Sequence, residues 1–148
     1  MNSFLVTFKP STESAERGWP IEELQRMVKR HKSGEHFAEP WRFANQKDVS
    51  LGDRVFALRQ GKAGPAIFGY GSIAGAPARH GGPLRFPVEF GVIVDPENEV
   101  LITREELLAI PEGRKYWRAQ SSGILLPRSI ARRARRSCGA QTATSAFP

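Results

Sequence analysis

The sequence predicts an α+β domain, a curved sheet or small β-barrel flanked by helices, and three observations lead there. Short runs rich in β-branched and aromatic residues recur between glycine- and proline-containing turns. An amphipathic helix interrupts them after the first run, and two further helical patterns close the chain. At 148 residues the chain can bury one core without disulfides, so one domain is expected.

The elements follow in order. Residues 3–9 (SFLVTFK) form the first strand and Pro10 ends it. A polar loop, STESAERG, leads to a helix opened by Pro20. Glu22 and Glu23 lie in its first turn, Lys29, Arg30 and Lys32 in its last, and Gly34 just beyond. Ile21, Leu24, Met27, Val28 and His31 share one face of it. Residues 54–60 and 66–73 are strands joined by the turn GKAGP. Residues 86–94 alternate, with Phe86, Val88, Phe90, Val92 and Val94 expected on one side. Thr103 and Glu106 form a capping box for a short helix that ends at Ile110-Pro111. GILL (123–126) is the last strand, and Pro127 starts a helix through Arg136. The domain is therefore placed at 1–136, with 137–148, small and polar, expected to be disordered.

Charge is distributed unevenly. Residues 113–136 carry eight basic and no acidic residues, whereas the 14 basic and 15 acidic residues of 1–112 nearly cancel. A cationic block on a neutral body fits a polyanionic partner, or else a solvated basic helix or a poorly ordered tail. The lone cysteine, Cys138, cannot build a disulfide framework or a thiolate metal site, which suits a reducing cytoplasm. No apolar run has membrane-spanning length, and MNSFLVTFKP lacks the features of a signal peptide. Walker, dinucleotide, H-E-x-x-H and nucleophile-elbow motifs are missing, and His31, His36 and His80 lack metal-ligand spacing. No catalytic residue, metal or cofactor is expected.

What remains is aromatic and polar. Trp41 sits in EPWRFANQK, and Trp117 in RKYWRAQSSG. A base pocket needs flat rings to stack on and amides, hydroxyls or N–H groups to read a base edge, and both segments supply them. Core packing is the competing role for each tryptophan, and Trp19 is assigned to packing. The glycines of GYGS (69–72) mark either a sharp bend or backbone room beside a ligand.

FLVTFKP (4–10), GWPIEEL (18–24), PWRFANQK (40–47), GDRVFALRQG (52–61), IFGYGSI (67–73) and WRAQSSGILLP (117–127) occur in that order. Together they resemble the EVE domain, specifically the variety at the N-terminus of HNH-family, modification-dependent restriction endonucleases. The resemblance implies a PUA-like barrel related to YTH domains, which take a flipped, modified base into an aromatic cage. For the endonuclease-linked group it implies modified cytosine in DNA, such as 5-methyl- or 5-hydroxymethylcytosine. It implies Trp41 as the cage tryptophan, and Arg42, Phe43 and Asn45 as groups near the base or its phosphate. Gln120, Ser121 and Ser122, in the polar stretch after the last tryptophan, are the expected edge readers, with Trp117 either a cage wall or core. Phe8 and Lys9 stand where the family often has Trp-Asn, which removes an amide and adds a cation. The sequence also contains no His-Asn-His segment or paired zinc-type cysteines, so alone it is expected to cut nothing.

The expected function is thus a cytoplasmic, non-enzymatic reader of modified DNA, with a nuclease domain or protein as a further partner and no membrane. Arg59, Arg118, Arg128, Arg132 and Arg133 are the expected phosphate contacts. Three alternatives are an RNA-binding PUA-like module, an ASCH-like hydrolase of modified nucleosides using Lys9 or Glu89, and a protein-interaction module.

Overall fold

In the computed structural model of the protein, residues 1–9, 20–79, 81–119 and 121–146 are described, without the side chains of 139–146. Trp19, His80, Gln120 and the loop 11–18 lie outside the described residues. The elements are β1 (Ser3–Phe8), α1 (Ile21–Lys32), β2 (Glu39–Arg42), β3 (Arg54–Arg59), β4 (Ala66–Ile73), β5 (Arg85–Ile93), α2 (Arg104–Leu108), α3 (Arg114–Trp117), β6 (Ile124–Leu125) and α4 (Arg128–Ala146). A 3-10 turn, Pro111–Gly113, precedes α3.

The strands form one curled six-stranded sheet in the order β2-β5-β4-β3-β1-β6. β1 and β3 pair in parallel, from Ser3 opposite Arg54 to Phe8 opposite Arg59, and the other pairs are antiparallel. A parallel pair needs a long crossover, and the segment containing α1 provides it. The sequence reads the strands after α1 as antiparallel neighbours; the parallel β1–β3 pair makes the sheet mixed.

Alternation along each strand puts one apolar set on each face. The inner face carries Phe4, Val6, Phe8, Trp41, Phe43, Val55, Phe68, Phe86 and Phe90, covered by Leu24, Met27 and Val28 of α1. The outer face carries Leu5, Phe56, Leu58 and Ile67, covered by Leu107, Trp117, Ile130, Ala131 and Ala134. Phe86, Val88 and Phe90 point inward as the alternation predicts. A bulge at Tyr70/Gly71 then shifts the register, so that Ile93 is buried inside and Val92 packs against the outer cluster.

That bulge explains the glycines of β4. A Cβ on Gly71 would lie 2.2 Å from the Glu89 carbonyl oxygen, and one on Gly69 3.1 Å from the Phe90 ring. The space belongs to the neighbouring strand, so the bend accounts for these glycines without a ligand.

The capping box forms as read: Thr103 Oγ1 accepts from Glu106 N–H, and the Glu106 carboxylate accepts from Thr103 N–H. α4 continues past Arg136, where the sequence ends it, because the i, i+4 stripe of Ile130, Ala134 and Cys138 continues across that point. No helix among the described residues is long and apolar enough to cross a membrane.

Candidate nucleic-acid interface

The open edges of the curled sheet, β2 and β6, are joined by the chain next to them. Leaving β2, Ala44 N–H donates to the Ser122 carbonyl at 2.8 Å and Asn45 N–H to the Gly123 carbonyl at 3.0 Å. Gly123 N–H donates to the Leu5 carbonyl at 2.8 Å, so the seam is anchored on β1. The Ser122 hydroxyl accepts from Thr7 N–H at 3.1 Å and extends the β1 pairing beyond the two residues of β6. On the other flank, Gln60 N–H donates to the Phe8 carbonyl at 2.8 Å, and the Gln60 amide donates to the Ala119 carbonyl. Two polar segments about eighty residues apart in sequence, 42–45 and 121–122, therefore meet at one seam.

Gly123 makes the seam possible. Its φ is +78°, and a Cβ there would lie 2.3 Å from the Cα of Phe43. Phe43 is locked beneath it, edge-on to Phe4 at 5.5 Å and to Phe86 at 5.1 Å between ring centroids. Trp41 lies in the same inner cluster, edge-on to Phe90 at 6.0 Å and only 2 % exposed. Phe8 is also fully buried there, edge-on to Phe68 at 5.8 Å.

The remaining sequence-selected residues divide. Arg42 and Ser121 at the seam, and Lys9 at the end of β1, are exposed. The Asn45 amide is engaged within its own turn: its nitrogen donates to the Asp48 carboxylate at 3.0 Å and its oxygen accepts from Asp48 N–H at 3.1 Å. Trp117 lies across the sheet from Trp41, in the outer core, with its indole N–H donated to the Leu107 carbonyl at 3.1 Å. It does not form a wall of the same pocket as Trp41. Arg59 donates to the Gly64 carbonyl at 3.2 Å and the Pro96 carbonyl at 2.7 Å, holding the β3–β4 turn against the loop after β5. Its guanidinium is committed to the chain. Arg118, Arg128 and Arg132 are exposed on the side of α3 and α4. Arg133 reaches Glu112 at 3.8 Å and the Ala109 carbonyl at 3.5 Å. Sequence reasoning missed Gln60 and Gly123 as seam residues. Their signals were present in LRQG and SSGILL, a polar strand end and a glycine before a strand.

The acid–base candidates are separated. Glu89 pairs with Ser72, Ser72 with Arg54, and Arg54 with Ser3, so Glu89 lies in the row where β1 begins. Lys9 follows the other end of β1, about 20 Å along the strand at 3.3 Å per residue. The Glu89 carboxylate faces His36 Nδ1 at 3.5 Å instead. Among the described residues no group of three or more His, Cys, Asp or Glu could hold a metal ion. A cavity of about 10 Å³ beneath the end of α1, lined by Met27, His31, Phe37 and Phe90, has room for one water and not for a base.

No family model matches the sequence, and no curated protein does. Solved structures do match. A hypothetical protein from Leishmania major superposes with a TM-score of 0.60 at 16% identity, over 96% of this chain and 97% of that one. The DUF55 domain of human thymocyte nuclear protein 1 gives 0.57 at 13% identity, over 94% and 98%. Human THYN1 protein, in complex with 5-methylcytosine-containing DNA, gives 0.56 at 13% identity, over 95% and 98%. The fold is PUA-like. The PUA-like α+β architecture expected from the sequence is therefore present over almost the whole chain.

Proposed function

We propose that this protein is a DNA reader that accommodates a flipped, modified cytosine, 5-methyl- or 5-hydroxymethylcytosine, beside Trp41 at the β2–β6 seam. One observation carries this reading: the polar segments 42–45 and 121–122 converge over the aromatic cluster that contains Trp41. Support comes from the shared fold of a protein that has been seen with 5-methylcytosine DNA. Arg42 and Lys9 supply exposed cations and Ser121 an exposed hydroxyl. Ser122 accepts from Thr7 N–H and keeps its own proton to donate to a base edge. Arg118, Arg128 and Arg132 add sequence-independent attraction to phosphates. The endonuclease-linked resemblance adds a cytoplasmic reader serving a nuclease.

Because Trp41 is buried, a base stacks on it only after the surrounding chain gives way. Extruding a base costs a few kcal/mol, and stacking returns about 1–3 kcal/mol. Stacking therefore does not cover extrusion together with the opening of the chain, so contact with the modifying group decides whether the base stays. A well-fitted methyl group contributes about 1–3 kcal/mol, or roughly 5- to 150-fold in affinity.

The test is binding to otherwise identical duplexes with cytosine, 5-methylcytosine or 5-hydroxymethylcytosine, with an RNA of the same sequence as a fourth arm. The expected result is a preference for one modified duplex that Trp41→Phe reduces. Phenylalanine is the informative substitution, since alanine at this core site would cost about 3–5 kcal/mol of stability and confound the readout. Equal affinity of the native protein for all three duplexes would sink the reading.

A further inference from the structure

Arg42 and Arg85 stand directly opposite each other on adjacent antiparallel strands. Arg85 exchanges both backbone hydrogen bonds with Ala78, at 3.0 and 2.9 Å, on its other flank. Its pairing with Arg42 is therefore the non-hydrogen-bonded kind, in which Cα atoms approach to about 4.5 Å and side chains are closest. Like charges in that position destabilise a sheet. Among the described residues neither guanidinium has an ion pair or side-chain hydrogen bond to offset the repulsion. The next pair in register is Trp41 and Phe86, which point into the inner core. The pleat therefore directs Arg42 and Arg85 to the opposite, outer side, immediately behind the proposed base-stacking residue.

We infer that Arg42 and Arg85 form a two-arginine clamp for the DNA backbone, gripping phosphates beside the nucleotide whose base enters next to Trp41. The inference rests on the reader function proposed above and assigns its phosphate contact. Phosphate oxygens between two guanidiniums remove the repulsion and accept charge-assisted hydrogen bonds from both. An arginine pair without carboxylate partners is available for this role at no cost in broken ion pairs. Arg85 follows a glycine-rich stretch, GGPL, and nothing in its sequence neighbourhood marks it; only the strand register brings it to Arg42.

The experiment measures affinity of the full chain for cytosine and 5-methylcytosine duplexes between 50 and 200 mM salt, with Arg42→Gln/Arg85→Gln and Arg85→Glu. Each phosphate contact contributes about 0.9 to the slope of log affinity against log salt. The double variant should lose about 1.8 of that slope, so its affinity drop over this range shrinks roughly tenfold. Both duplexes should be affected equally. Arg85→Glu places a carboxylate opposite Arg42, and should raise the melting temperature while weakening binding, an outcome that a folding defect does not produce. A folded double variant with the native salt slope overturns the clamp, even if 5-methylcytosine is still preferred. No preference in the native protein, with a reduced slope in the double variant, overturns the base-reading proposal and leaves the clamp. Failure of the native protein to bind either duplex overturns both.

Discussion

Arg59 ends a strand beside Gln60 and Gly61, and in sequence it is indistinguishable from a phosphate ligand. In the fold its guanidinium satisfies the carbonyls of Gly64 and Pro96. Arg59→Ala leaves both acceptors without this donor and should cost about 1–3 kcal/mol in urea unfolding. It should leave the salt slope of DNA binding unchanged; a reduced slope would restore Arg59 as a phosphate contact. Asn45 behaves alike, its amide turned back on Asp48. Exposed Arg42 and Ser121 differ from these two only in what the chain leaves around them, and a residue's type does not carry that information.

β2 carries Trp41 and Arg42 into the site, yet its four residues include Pro40 and gave no strand signal. It is tolerated because β2 is an edge strand, paired on one side with β5. The element that joins β2 to β6 is the turn at Gly123. Gly123→Ala must place a Cβ 2.3 Å from backbone of Phe43 while holding φ near +78°. Strain of this kind costs about 1–3 kcal/mol before any clash, so the variant should melt lower and lose binding together. Thermal denaturation with native stability would show that the seam adjusts freely. Capping at α2 and the apolar face of α1 were both evident locally, because their signals lie within one or two helical turns.

For the whole molecule, the sheet separates two cores, and the basic C-terminal segment packs on the outer one. Its charge therefore lies on the α3–α4 side, while the aromatic cluster lies inside the curl. Cys138, expected in a disordered tail, is buried in that outer core. Burial, with a smaller contribution from the Glu106 carboxylate, pushes its thiol from an ordinary 9.0 up to about 12. The unfolded thiol ionises above about pH 9 while the folded one stays neutral until about 12. Its contribution to stability is complete below pH 9 and falls as pH rises through that window. Melting temperatures from pH 8 to 10.5 should fall more steeply for the native protein than for Cys138→Ala. Parallel curves would mean the thiol is solvated.

Local sequence was enough for most of the elements (β2 and α3 excepted), the helix caps, the amphipathic faces and the two polar–aromatic segments, because each depends on residues within a few positions of one another. Strand order, the parallel β1–β3 pair and the bulge at Gly71 came only from tertiary structure, since each depends on which distant chain lies alongside. The same holds for the site. Trp41 and Trp117 have similar sequence settings, but the pleat sends one to the inner core and the other joins the outer. Arg85 became relevant only through its register with Arg42, a pairing across more than forty residues that no local pattern encodes.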